Sequence, residues 1–234
     1  MNQLAVVTGA TKGIGRAVAE RFAQAGFDIA ACARNTKDLL QMKEDVEKKF
    51  NVKVFIMTAD ASDKKQVADF VQYVLMLARP VNVLVNNAGH FIPGETMEEE
   101  EGALESMIAS NVYSAYHTTR GLITNMKQNK SGHIFNMCSI ASIKAYPNGG
   151  SYAISKFALL GFTKVLREEM KPFNIRVTAV MPGATKTGSW DGTDLPDSRF
   201  MKTEDVAEVI FNAYSISDRS VVEEVIIRPQ LGDI

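Results

Sequence analysis

The sequence predicts a doubly wound α/β domain, one seven-stranded parallel sheet with helices on both faces. Three observations predict it. Short β-rich apolar runs alternate with helix-period segments from Leu4 to Ile227. The connections between them are too short for a second domain, so residues 1–234 are expected to form one. A glycine-rich turn, finally, occupies the first strand–helix junction. Strands separated by helical crossovers run parallel, and their helices cover both sheet faces. Such sheets bind ligands beyond the carboxyl ends of their strands.

Leu4 to Thr8 is the first strand, followed by TGATKGIG and a helix-period segment, GRAVAERFAQAG. Gly9, Gly13 and Gly15 permit tight turns and close backbone approach, and the helix start offers free N–H groups to a pyrophosphate. The second strand, Asp28 to Ala33, ends at Arg34. Dinucleotide folds commonly place a ribose-binding carboxylate near this point. Here the position holds Arg34, with Lys12 in the glycine turn, and two cations suit a 2′-phosphate. NADP(H) is therefore expected in preference to NAD(H).

Helix Thr36 to Lys49 leads to strand Val52 to Thr58 and to Asp60. Asp60 either accepts from an adenine amino group or begins the loop before the next helix, SDKKQVADFVQYVLML. A fourth strand, Val81 to Val85, runs into Asn86-Asn87-Ala88-Gly89, a strand end suited to satisfying neighbouring backbone groups beside a ligand. The acidic run EEEE after it reads as a solvated helix start. The long helix that follows carries Asn111, an unfavourable residue in a helix interior. A functional reading gives it a water or a lysine to hold.

Gly132 to Ser139 reads as a buried strand, and Ser151 to Met170 as a long helix. Tyr152 and Lys156, four apart, share a face of that helix about 6 Å apart along its axis. Both would face the strand end that carries Ser139. A free tyrosine has a pKa of about 10, and a nearby ammonium moves it toward the working range of a general acid or base. A serine hydroxyl beside the phenol holds a carbonyl or alcohol oxygen against it. The trio suits proton transfer to an oxygen whose carbon gives or takes a hydride.

Strand Ile175 to Met181 precedes Pro182-Gly183-Ala184-Thr185-Lys186-Thr187, which places Thr185 and Thr187 at the mouth of the site. Residues of about 184–201, with the single tryptophan Trp190, read as a loop over the substrate. Helix Thr203 to Ser215, strand Val221 to Ile227 and a short tail end the chain.

Composition sets the boundaries of function. At 46% apolar residues the 234-residue chain can bury a sizeable core. A formal net charge of −1 gives no electrostatic footprint for nucleic acid or an anionic membrane. Cys32 and Cys138 end apolar runs without metal-ligand spacing, so no metal centre is expected and both read as reduced core residues. No apolar run reaches membrane-spanning length, and the opening MNQLAVVTGA lacks a signal-peptide layout. A cytoplasmic protein is expected.

Thr8-Gly9-x-x-x-Gly13-x-Gly15, Asn86-Asn87-Ala88-Gly89, Asn111, Ser139, Tyr152-x-x-x-Lys156 and Pro182-Gly183-x-x-x-Thr187 occur in this order. The set resembles the short-chain dehydrogenase/reductase family over almost the whole chain. The resemblance implies a single Rossmann-type domain and a catalytic tetrad of Asn111, Ser139, Tyr152 and Lys156. Tyr152 would exchange the proton and Ser139 orient the substrate. Lys156 would bind the nicotinamide ribose and lower the tyrosine pKa, and Asn111 would place a relay water. The resemblance assigns the pyrophosphate to the turn of Gly9, Thr11, Lys12, Gly13, Ile14 and Gly15, and the adenine to Asp60 and Ala61. Asn87, Ala88 and Gly89 would lie by the ribose, and Pro182, Gly183, Thr185 and Thr187 near the carboxamide. It also implies a homodimer or homotetramer, with Ala109, Val112, Ala115, Phe157, Leu160 and Val165 as apolar surface for core or partner.

The implied activity is NADPH-dependent hydride transfer between the cofactor and a small carbonyl or secondary alcohol. A 3-oxoacyl-thioester reductase is an alternative, with Lys127, Lys130, Arg167 and Lys171 as cations for an acidic carrier protein. A non-enzymatic NADP(H) sensor is the other, although a sensor has no need of Tyr152 over Phe.

Overall fold

The computed structural model describes residues 1–190 and 192–234, so position 191 of the expected substrate loop lies outside the described residues. Seven strands form one sheet: β1 (Leu4–Thr8), β2 (Asp28–Ala33), β3 (Val54–Thr58), β4 (Val83–Asn86), β5 (Gly132–Met137), β6 (Ile175–Pro182) and β7 (Glu224–Ile227). Their order is β3-β2-β1-β4-β5-β6-β7, and every pairing is parallel. The order reverses between β1 and β4, which opens a crevice at the carboxyl ends of those two strands.

The helices are α1 (Gly13–Gln24), α2 (Thr36–Phe50), α3 (Lys64–Met76), α4 (Ala103–Ile108), α5 (Ser114–Asn129), α6 (Gly150–Met170) and α7 (Thr203–Ser215). Alternation along β1 shows why they cover both faces. Ala5 and Val7 pack with Phe22, Leu39, Met42 and Ile210 of α1, α2 and α7. Leu4 and Val6 pack with Phe70, Val74, Leu122 and Leu166 of α3, α5 and α6. A strand buried on both sides has no polar face to offer, hence LAVVT.

Several sequence expectations are corrected. The long helix around Asn111 is α4 and α5 joined by a π-helical turn, Ala109–Tyr113. A residue that competes for backbone hydrogen bonds sits where the helical ladder is already widened. The acidic run lies ahead of α4, with Glu99 turned inward onto Ser151. Strands β3, β4 and β7 start later than Val52, Val81 and Val221, and residues 188–190 and 197–199 form 3-10 turns. Of the apolar positions considered for a partner, Ala115 and Leu160 are buried core, whereas Phe157 and Val165 are 47% and 58% exposed. Both cysteines are buried and free, as expected.

Two polar clusters lie inside the fold. Asn86 Nδ2 donates to Asn136 Oδ1 (2.8 Å) and Thr119 Oγ1 (2.9 Å), and Asn136 Nδ2 donates to Thr163 Oγ1 (2.9 Å). The amino end of β2 is tied by Asp28, whose carboxylate meets Arg79 (2.8 Å), the Lys53 N–H (2.9 Å) and Asn2 (3.0 Å).

Burial alone would raise the Asp28 carboxyl, but the Lys53 N–H, Arg79 and Asn2 outweigh it and hold it below the usual carboxylate range. A carboxyl depressed in the folded state adds stability above its unfolded pKa of about 4, lost as pH falls through the folded value. Asp28→Asn should therefore flatten the acid limb of stability below about pH 4 in denaturant titrations. Arg79→Ala, which leaves the buried carboxylate without its cation, should cost about 3 kcal/mol at neutral pH.

Candidate active site

The carboxyl ends of β1, β4, β5 and β6 converge on a cavity of about 560 Å³. After β1 the chain turns through Gly9 and Gly13, at φ of 66° and 58°. A Cβ on Gly15 would lie 2.3 Å from the Gly9 carbonyl oxygen and 2.4 Å from Asn87 Nδ2, so only glycine fits. Asn87 closes the turn from β4. Its Nδ2 donates to the carbonyls of Thr8 and Gly9, both at 3.0 Å, while Thr8 Oγ1 accepts from the N–H groups of Asn87 and Ala88.

At the end of β5, Ser139 is extended and caps the turn Ile140–Ser142. Its Oγ accepts from the Ala141 N–H at 3.1 Å, which leaves the O–H free to donate into the cavity. Tyr152 and Lys156 reach the same space from α6. The Phe91 ring packs edge-on against the Tyr152 ring, with centroids 4.9 Å apart. Lys156 Nζ is buried, lies 5.6 Å from the Tyr152 ring centroid and donates to the Met137 carbonyl at 2.7 Å.

The electrostatics correct one expectation. Burial raises the Tyr152 phenol above its ordinary value, and the group that opposes this is the Ser139 hydroxyl rather than Lys156. Burial pushes the Lys156 ammonium down to about 8. The reason is geometric: Lys156 is turned to the Met137 carbonyl at the strand end.

Asn111 is buried beneath the cavity rather than lining it. It accepts from the His90 N–H (2.8 Å) and donates to the His90 carbonyl (3.0 Å) and Ser155 Oγ (2.9 Å). Its side chain therefore pins the loop after β4 to α6. Among the other expected site residues, Ile14, Asn87, Gly89, Pro182, Gly183, Thr185 and Thr187 line the cavity. Thr185 Oγ1 donates to the Gly183 carbonyl (3.0 Å).

Thr11, Lys12 and Ala88 belong to the turns beside the cavity, and Arg34 and Asp60–Ala61 follow the ends of β2 and β3. Lys12 and Arg34 are exposed and, among the described residues, form no ion pair. His90 reports on this neighbourhood. Burial lowers its pKa, Arg34 and Lys156 lower it further, and Asp60 opposes them. Asp60 Oδ1 accepts from the Ser62 N–H and hydroxyl at 2.9 and 2.7 Å.

Sequence reasoning missed His90, Phe91, Tyr146 and Pro147, which line the cavity from loops without periodicity. The signal available for Phe91 was an aromatic residue two positions after Asn-Asn-Ala-Gly. Of the cations considered for a carrier protein, Arg167 is buried and committed to the Val177 carbonyl (2.9 Å), and Lys171 pairs with Glu168. Among the described residues no His/Cys/Asp/Glu cluster could hold a metal ion, and no helix is long and apolar enough to cross a membrane.

Comparison with known proteins agrees with this geometry. The family model described as short chain dehydrogenase matches residues 3–195. A sepiapterin reductase from Chlorobaculum tepidum is 32% identical over 242 residues, covering 100% of this chain and 99% of that protein. An alcohol dehydrogenase from the archaeon Thermococcus sibiricus, solved with 5-hydroxy-NADP, superposes with a TM-score of 0.93 at 26% identity, covering 100% of this chain and 99% of that one. The L-sorbose reductase of Gluconobacter frateurii, solved with NADPH and L-sorbose, gives 0.90 at 27%, covering 97% and 95%. The family match over most of the chain and the superposition of the seven-stranded sheet lead to one conclusion: this chain is an oxidoreductase of the short-chain dehydrogenase family.

Proposed function

We propose that the chain is an NADP(H)-dependent carbonyl reductase and secondary-alcohol dehydrogenase. The observation that carries this reading is the convergence of the Ser139 hydroxyl, the Tyr152 phenol and the Lys156 ammonium on one cavity beside a glycine turn. The fit of a dinucleotide rests on the cradle at Gly9 and Gly15, which a Cβ would fill, and on two exposed cations at its edge. The two solved relatives, complexed with 5-hydroxy-NADP and with NADPH, support the choice of cofactor.

In this reading Gly9, Thr11, Gly13, Ile14 and Gly15 hold the pyrophosphate and Arg34 with Lys12 the 2′-phosphate. Asp60 and Ala61 take the adenine, Asn87 to Gly89 and Lys156 the ribose, and Pro182, Gly183, Thr185 and Thr187 the carboxamide. The nicotinamide, when bound, supplies or receives the hydride. Ser139 Oγ donates to the substrate oxygen and holds it at Tyr152. Tyr152 Oη gives its proton to that oxygen as the carbonyl becomes an alcohol, or takes it back in reverse. The Ser139 O–H stabilises the phenolate so formed. Asn111 keeps the loop after β4 and Ser155 of α6 in register. Phe91, Ile140, Tyr146, Pro147 and Trp190 give the substrate an apolar enclosure, consistent with a small organic carbonyl. The exposed Phe157 and Val165 on α6 support a homodimer or homotetramer, and the reading places the protein in the cytoplasm.

Turnover is tested with a panel of ketones, diketones, a pterin ketone and oxoacyl thioesters, each with NADPH and NADH. Tyr152→Phe should abolish turnover while NADPH still binds, because only the transferable proton is removed. Near wild-type rates in that variant would sink the assignment, and binding without turnover in the unmodified protein on every substrate would favour the sensor.

Cofactor choice is tested at Arg34. A guanidinium meets a dianionic phosphate with paired, charge-assisted hydrogen bonds, worth roughly 1.5–3 kcal/mol when partly shielded and less when screened by salt. Arg34→Asp should weaken NADPH binding about tenfold or more and move preference toward NADH. Equal affinities of the unmodified protein for both cofactors would overturn the reading.

Lys156 generates a pH prediction. With its ammonium held down to about 8 by burial, the free protein loses this proton over the range where the cofactor still carries its full charge. If the ammonium donates to the ribose, binding favours the protonated lysine and takes up a proton. NADPH affinity should then fall as pH rises through about 8, by up to about tenfold per pH unit, and Lys156→Met should lack that slope. Calorimetry in buffers of different ionisation enthalpy measures the proton uptake directly.

A further inference from the structure

Between β4 and α4 the chain crosses to the start of α6 and is fastened there at three points. Gly94 forms a parallel bridge with Gly149, and its N–H donates to the Asn148 carbonyl at 3.1 Å. The Glu95 carboxylate accepts from the Asn148 N–H at 3.0 Å. Glu99 reaches furthest in, where Oε1 accepts from the Ser151 N–H at 2.9 Å and Oε2 from the Ser151 hydroxyl.

The glycine pair before α6 is shaped around this contact. Gly150 has a φ of 25°, and a Cβ there would lie 2.1 Å from Glu99 Oε1 and 2.5 Å from the Gly94 carbonyl oxygen. The helix has no cap of its own, since its N-cap is Gly149, without a side-chain hydrogen bond, and its first turn has no acidic residue. The free N–H groups of a helix start need a partner, and its dipole favours an anion. Glu99 supplies both from 52 residues upstream. Glu98, Glu100 and Glu101 are exposed, whereas Glu99 is half-buried.

The residue that Glu99 grips is the one before Tyr152. The same loop carries Phe91, whose ring packs edge-on against the Tyr152 ring. One segment therefore fixes both the backbone that bears the phenol and the wall beside it. We propose that Glu99 is a positioning residue for Tyr152: its carboxylate locks the first turn of α6 and so the direction of the phenol toward Ser139. The proposal rests on Tyr152 as the proton donor. Small misplacements of a reacting group cost rate steeply, about 100-fold for 1 Å, while leaving distant binding contacts in place.

The test has two arms on the full chain. In hydrogen–deuterium exchange, Glu99→Ala should speed exchange of the Ser151 amide at least tenfold and leave α3 and α7 unchanged. Glu99→Gln, which keeps one acceptor, should recover part of the protection. In steady-state kinetics with NADPH and a carbonyl turned over by the unmodified protein, Glu99→Ala should lower kcat about 10–100-fold, with NADPH affinity within about twofold. Glu99→Gln should again recover part of the loss. Should Glu99→Ala fail to fold, Ser151→Ala and Glu99→Gln carry the same comparison, and their effects on kcat should not multiply when combined. A kcat within twofold of the unmodified protein in Glu99→Ala, or kcat and NADPH affinity falling together, overturns the proposal. Tyr152→Phe in the same assay separates the two failures. If it is inactive while Glu99→Ala is unimpaired, only the Glu99 role falls; if it is active, the proton-donor assignment falls and the Glu99 role with it.

Discussion

The site depends on a buried amide ladder. Asn86 on β4 and Asn136 on β5 are register partners, and their side chains bond to each other and outward to Thr119 on α5 and Thr163 on α6. All four are buried, so each donor must find a partner within the protein or carry a desolvation penalty of about 1–3 kcal/mol. Sliding α6 by one turn along the sheet would break the Asn136–Thr163 bond and strand both groups. Apolar packing alone does not penalise such a slip as sharply, because it is non-directional. Thr163 lies two helical turns beyond Lys156, on the same face of α6. The ladder thus fixes the height at which the lysine, and Tyr152 one turn before it, meet the strand ends.

From the ladder outward, each element of the site is placed by a different kind of force. The glycine turn is steric, because Gly15 has a carbonyl oxygen and an amide nitrogen where a Cβ would be. The loop after β4 is held by Asn111, which takes both backbone groups of His90 from a π-helical turn. An α-helical path would offer that asparagine its own backbone as competitor; the wider turn directs its amide to the neighbouring loop instead. Ser139 is fixed by capping the turn that follows it.

What could be read in the sequence follows from how local each cause is. Strands such as LAVVT and helices such as the one from Thr36 declare themselves through short-range periodicity and caps, so the order and type of the elements and the parallel sense of the sheet were legible. So was the set of residues at the strand ends, because a parallel sheet gathers its carboxyl ends on one side. The corrections concern long-range contacts. Nothing within EEEE distinguishes Glu99 from its neighbours; what selects it is Ser151, 52 residues on, and the space left by Gly150. Phe91 and Tyr146 sit in aperiodic loops, where an apolar residue has no face to be assigned to. The break between α4 and α5 left one sign only, an asparagine in an unfavourable place.

The titrating groups show what the burial of this site does to its chemistry. Lys156 is buried and Tyr152 half-buried, and burial disfavours the charged form of each, so the phenol rises and the ammonium falls to about 8. A phenol kept neutral at physiological pH is a proton donor in its resting form, which suits delivery to a carbonyl oxygen. The charge appears only when the proton has left. At that moment Ser139 gains an anion to stabilise, and the interaction is stronger for being out of water. Interactions that strengthen as the reaction proceeds lower the barrier, whereas those already present in the resting state do not. The same burial that keeps the phenol neutral at rest therefore makes its contact with Ser139 effective during proton transfer, provided α6 is held at the height the amide ladder sets.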